Sequence, residues 1–152
     1  MKNKLLTVVI YSFIFSSAFT QSYLSIPKND ISTSTDIAIL AKKGNKVYLS
    51  ANDTISKEGL VFLNDGLEEY NYWVIVESPK ESDFIIELNC IKKFRVTTYA
   101  VYTSSKFINA DGKTIFETKE YKSTPTAFNE FNALKGSIQE MIKKDYTKKF
   151  RD

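Results

Sequence analysis

The chain contains no histidine and a single cysteine, Cys90. Transition-metal sites of the Cys/His type therefore have too few donors. Ser-His-Asp and Cys-His nucleophile arrangements lack their base. One cysteine allows no internal disulfide, so the fold must be held by its core. The five glycines are scattered, at positions 44, 59, 66, 112 and 136, and build no phosphate-binding loop. No apolar run reaches the about 20 residues that a bilayer-spanning helix needs. No stretch has the spacing of a calcium loop. No cofactor is expected.

What is present begins at the N-terminus. Lys2 and Lys4 precede the uncharged, largely apolar run "LLTVVIYSFIF" (5–15), and "SSAFTQS" follows it. This order predicts a signal peptide over 1–20, cut after Thr20 or, alternatively, after Ser22; an uncleaved anchor is the other reading. No cysteine stands near the cut, so no lipid anchor is expected there. Removing Lys2 and Lys4 leaves 19 basic against 18 acidic residues, which gives no case for nucleic acid. The expected product is secreted or periplasmic, with no transmembrane span after cleavage. Residues 21–35 are rich in Ser and Thr and read as a flexible arm. Residues 36–152 read as one domain.

Hydrophobic periodicity lays out that domain. "DIAIL" (36–40) suggests a short strand, and "NKVYLSA" (45–51) a better one. Leu60, Leu63, Leu67 and Tyr70 recur at helical spacing, with Ser56 as the expected N-cap. Gly59 and Gly66 weaken that helix but permit close packing on a sheet. "YWVIVES" (72–78) is nearly all apolar and reads as a central strand covered on both faces. In 84–91, Phe84, Ile86, Leu88 and Cys90 share one face. Cys90 there reads as a small buried hydrophobe. Residues 95–108 and 113–123 form a hairpin around Asp111-Gly112. A helix over 125–149 follows, capped by Thr124 with Pro125 in its first turn. Phe128, Phe131, Leu134, Ile138, Met141 and Ile142 form its apolar stripe.

The order predicts an α+β fold: a single mixed, mostly antiparallel sheet of four to six strands with two helices packed on one face. "LVFLNDGLEEYNYWVIVES", "SDFIIEL", "NADGKTIFET" and the terminal helix come in a familiar sequence. Over residues 45–150 the chain resembles the periplasmic α+β domain of curli-secretion pore subunits, penicillin-binding-protein activator lipoproteins and the TolB N-terminal domain. That resemblance implies a non-catalytic module that docks a cell-envelope protein.

One segment exceeds what a half-buried strand requires. In 95–108, Tyr99, Val101 and Phe107 fall on one side, and Val96, Ala100, Tyr102 and Ile108 on the other. Tyr is enriched where partners bind. Tyr99, Tyr102 and Tyr121 are therefore the expected partner-binding residues, with Lys92, Lys93 and Arg95 as a rim. Two other readings stay open. A carboxylate-dependent hydrolase would draw on Glu77, Asp83, Glu87, Glu117 and Glu120. A small-ligand carrier would need a pocket between sheet and helices.

Overall fold

The computed structural model describes Ile37, Leu40 and residues 42–125 and 132–150. The expected signal peptide and arm lie outside the described residues. So do Phe128 and Phe131.

A six-stranded mixed sheet carries its helices on one face. Its elements are β1 (Lys46–Ala51), α1 (Thr54–Tyr70), β2 (Val74–Val76), β3 (Phe84–Phe94), β4 (Tyr99–Asn109), β5 (Thr114–Glu117), β6 (Tyr121–Ser123), α2 (Ala133–Met141) and a last helical turn, α3 (Thr147–Phe150). The strand order is β2-β1-β3-β4-β5, and β6 also pairs with β4. β1 runs parallel to β2 and to β3, and every later pairing is antiparallel. The α+β class and the single mixed sheet are as the sequence predicts.

Several boundaries differ. Ile37 and Leu40 are helical rather than extended. The carbonyl of Leu40 accepts the indole N–H of Trp73 at 3.0 Å. The 72–78 run is not a central strand. Only Val74–Val76 is extended, it pairs with β1 alone, and it forms the sheet edge with Val74 exposed. Its apolar content serves the core through Trp73 instead. That ring touches Tyr70, Tyr72, Phe84, Phe107, Tyr146 and Phe150 at centroid distances of 5.2–5.9 Å.

Asp53, not Ser56, caps α1. Its carboxylate accepts the Ser56 N–H at 2.9 Å and also the Ser56 hydroxyl. Ser56 Oγ in turn accepts the Cys90 N–H at 2.7 Å, which ties the start of α1 to β3. The buried stripe of α1 is Ser56, Gly59, Leu63, Leu67 and Tyr70, with Leu60 half-buried. Gly59 sits against β3: a Cβ there would lie 2.9 Å from Leu88 and 3.3 Å from the Cys90 sulfur. Gly66 faces Ile142 rather than the sheet.

β3 runs on to Phe94, and β4 begins at Tyr99 instead of residue 95. Asp111-Gly112 forms the β4–β5 turn, with Gly112 at φ 77° and the Asn109 carboxamide accepting from Asp111 and Lys113. The expected strand 113–123 breaks in two. Thr118 spans the break, donating its N–H to Ser105 O and accepting the Ser105 N–H, both at 2.9 Å.

The terminal helix starts at Ala133. Asn132, not Thr124, is its cap, accepting from Leu134 and Lys135. Ile142–Tyr146 widens into a π-turn before α3. The extra residue fits the spacing: Met141 and Tyr146, five apart, are both fully buried, and Phe150 follows. α1 and α2 share one face of the sheet, because Gly59 packs on Leu88 and Cys90 while Ser137 meets Thr103, the register partner of Cys90.

Candidate functional site

The pleat divides the expected partner-binding residues between two faces. Phe84, Ile86, Leu88 and Cys90 point toward the helices, so Lys92 and Phe94 continue that side. Across the antiparallel register, Lys92 faces Val101 and Phe94 faces Tyr99. Tyr99 therefore stands on the helix side. Tyr102 pairs with Ile91 and with Lys122 on the opposite, helix-free face, and Lys93 shares that face. Both tyrosines are half-buried. Each carries a lysine on its ring: Lys92 Nζ lies 4.0 Å from the Tyr99 centroid, and Lys93 Nζ 4.3 Å from that of Tyr102. Arg95 is exposed in the turn, where its N–H donates to Thr98 O at 2.7 Å.

Tyr121 departs from the expectation. It pairs with Thr103, so its side chain falls on the helix side and is buried. Burial, helped by the nearby Asp145 carboxylate, pushes its phenol far above the ordinary value. It is not available as a surface contact.

The final pairs of the β3–β4 hairpin outrun their neighbours. β1 stops opposite Leu88, and β6 reaches β4 only at Val101. The last two pairs, Lys93–Ala100 and Phe94–Tyr99, stand as a two-stranded arm. Between this arm and the helices lies an open groove of about 900 Å³. Ile55, Val61 and Phe62 of α1 form one wall, Tyr99 and Val101 the floor, and Leu134 of α2 the far end. Lys92 and Glu58 stand at its rim. Val61 is 61% exposed on the wall. Tyr99 and Lys92 are among the residues singled out from the sequence, but the wall on α1 is not. Val61 sits off the buried stripe of an amphipathic helix, where an apolar residue has no packing reason to be. That exposure is the one signal that marks it.

The acidic residues make no comparable site. Glu77, Asp83, Glu117 and Glu120 are exposed and Glu87 is half-buried. Asp83 accepts the Lys46 N–H at 2.7 Å and Glu87 accepts from Asn52 at 3.1 Å, so both serve strand ends. Glu77 lines a shallow groove beside β2, and Glu117 another beside α3. Cys90 is buried, with its thiol 3.6 Å from Thr103 Oγ1, and burial raises its pKa. Among the described residues no group of three His, Cys, Asp or Glu side chains is placed to hold a metal ion. No described helix is long and apolar enough to cross a membrane.

No family model matches the sequence, and no curated protein does. Solved structures do match. A PelC dodecamer from Paraburkholderia phytofirmans, in a point-substituted form, has a TM-score of 0.50 at 11% identity, over 66% of this chain and 87% of that one. An uncharacterized lipoprotein B from Nitrosomonas europaea has a TM-score of 0.40 at 18% identity, over 68% and 75% of the two chains. A lipoprotein from Neisseria meningitidis gives 0.42 at 6% identity, over 68% and 99%. At these identities the likeness to PelC is one of fold alone. These matches do not confirm the resemblance to curli-secretion subunits, penicillin-binding-protein activators or TolB.

Proposed function

We propose that this chain is a non-enzymatic module of the bacterial cell envelope, secreted or periplasmic, that docks a protein partner in the groove between α1 and the β3–β4 arm. One observation carries the reading. A groove of about 900 Å³ is walled by apolar side chains, and one of them, Val61, is 61% exposed. The occupant is an apolar segment of an envelope protein, long enough to cover Val61, Leu134 and the Tyr99 ring. Lys92 and Glu58 at the rim offer one charge of each sign to orient it. The apolar N-terminal run of the sequence, with Lys2 and Lys4 before it, supports export. The scattered carboxylates favour binding over hydrolysis.

The test is a pull-down from envelope extract with wild type, Val61→Asp and Tyr99→Ala, each checked for folding by circular dichroism. Val61 is exposed and Tyr99 only half-buried at the end of the sheet, so both variants are expected to fold. A protein retained by wild type and lost from both variants supports groove docking. Equal retention by all three moves the site elsewhere on the molecule.

A further inference from the structure

The tip of the β3–β4 arm carries a second surface, which shares Lys92 and Tyr99 with the edge of the groove but is centred on Phe94 and Val96 outside it. Five large apolar side chains stand exposed among the described residues, and three of them, Ile91, Phe94 and Val96, belong to this arm and its turn. Phe94 is 75% exposed and Val96 fully so. Interleaved with them are Lys92, Lys93 and Arg95. From Leu88 to Ala110 the chain has four basic residues and no acidic one. Lys92, Lys93 and Arg95 enter no ion pair among the described residues; the lysines lie against aromatic rings instead.

Such a tip is costly in water and needs an occupant that is both anionic and apolar. We propose that it docks on an anionic phospholipid bilayer. Phe94 and Val96 enter the boundary between headgroups and acyl chains, where an apolar side chain leaves water. Lys92, Lys93 and Arg95 meet the lipid phosphates. Tyr99 and Tyr102 sit at headgroup level, the depth that amphipathic rings prefer. A second copy of this chain is a poor occupant, because two such tips bring like charges together. Lipid docking goes beyond the groove reading and does not depend on it.

The test uses the full chain with Phe94→Trp, and separately Val96→Trp. Trp73 is buried and supplies a constant background. Vesicles of phosphatidylglycerol and phosphatidylcholine are expected to shift the new tryptophan's emission to the blue, and brominated acyl chains to quench it. Wild type, with Trp73 alone, shows neither change, so adhesion through the N-terminal apolar run does not imitate the result. Adding Lys92→Ala, Lys93→Ala and Arg95→Ala should weaken partitioning by roughly a hundredfold, about fivefold per cation. Unchanged emission at both positions overturns the proposal. Equal insertion into phosphatidylcholine alone overturns it too. A shift with polyglutamate but not with vesicles also overturns it, and assigns the tip to an acidic protein.

Discussion

The hydroxyl of Tyr146 lies 2.8 Å from Ser105 Oγ, across the layer that joins the terminal helix to β4. Tyr146 is wholly buried, and its carbonyl accepts the Tyr70 hydroxyl at 3.3 Å. One residue in the π-turn thus links β4, α1 and the terminal helix. Removing its hydroxyl leaves Ser105 without that partner in the core. Tyr146→Phe is expected to lose about 1–3 kcal/mol, the cost of an unsatisfied buried polar group. Urea unfolding of wild type and variant measures it.

The same residue sets an alkaline limit. Burial pushes the Tyr146 phenol well above its ordinary value of 10.0, with Asp145 adding to the rise and Ser105 opposing it. Tyr121 is raised as well. Groups raised in the folded state contribute stability that is fully present below the unfolded pKa. That stability is lost as the pH climbs through about 10 toward the folded value. Melting temperature should therefore fall between about pH 9 and 11. The fall should be shallower in Tyr146→Phe, which has one such group fewer. Equal slopes in the two proteins would contradict this assignment.

At the acid end, Asp53 acts in the opposite sense. The Ser56 hydroxyl and N–H hold its carboxyl below the ordinary value of 3.8. Its contribution is present above the unfolded pKa and is lost as the pH falls through the folded one. Asp53→Ala should cost about 1 kcal/mol at neutral pH, the usual value of an N-cap. Asp53→Asn keeps a capping oxygen, so it should lose less and flatten the acid limb of the stability profile. Thermal melts from about pH 2 to 7 follow both effects.

The two glycines of α1 should respond differently to Ala. At Gly59 a Cβ meets Leu88 at 2.9 Å, Ile138 at 3.2 Å and Cys90 at 3.3 Å, three side chains of the packed core. Overpacking of about 1–3 kcal/mol exceeds the helix-propensity gain of about 1 kcal/mol. Gly59→Ala should therefore destabilise. At Gly66 the close neighbour is the Ile142 side chain, whose Cδ1 would lie 2.5 Å away. Ile142 borders an open groove, and the contact is with the far end of its flexible side chain, which can shift. Gly66→Ala should stay within about 0.5 kcal/mol of wild type, or gain. Chemical denaturation of the pair decides it.

The parts of this fold that were legible are those where pattern and packing agree. The even positions Phe84 to Cys90 and the Leu63–Leu67–Tyr70 stripe read directly, because one face of each is buried. The 72–78 run misled because an apolar stretch does not say which residue carries the burial. Trp73 takes the core, and the β-branched residues after it make a three-residue edge strand. Ser56 and Asp53 are both good caps by type. Tertiary structure chose between them, since Ser56 Oγ is committed to Cys90. In the candidate site, alternation separated Tyr99 from Tyr102 correctly. It could not show that Tyr121 lies under the helices, because that depends on which residue of 113–123 pairs with Thr103. The groove wall came from a different element altogether.

The most direct test of groove docking is photo-crosslinking from within the groove in intact cells. The full chain carries a photo-reactive benzoylphenylalanine at position 61, or at position 80 in the remote turn after β2 as a control. The account predicts one envelope protein crosslinked from position 61, not from 80, and lost when Tyr99→Ala is added. Crosslinks that are the same from both positions, or none from 61 in cells that export the chain, would contradict it.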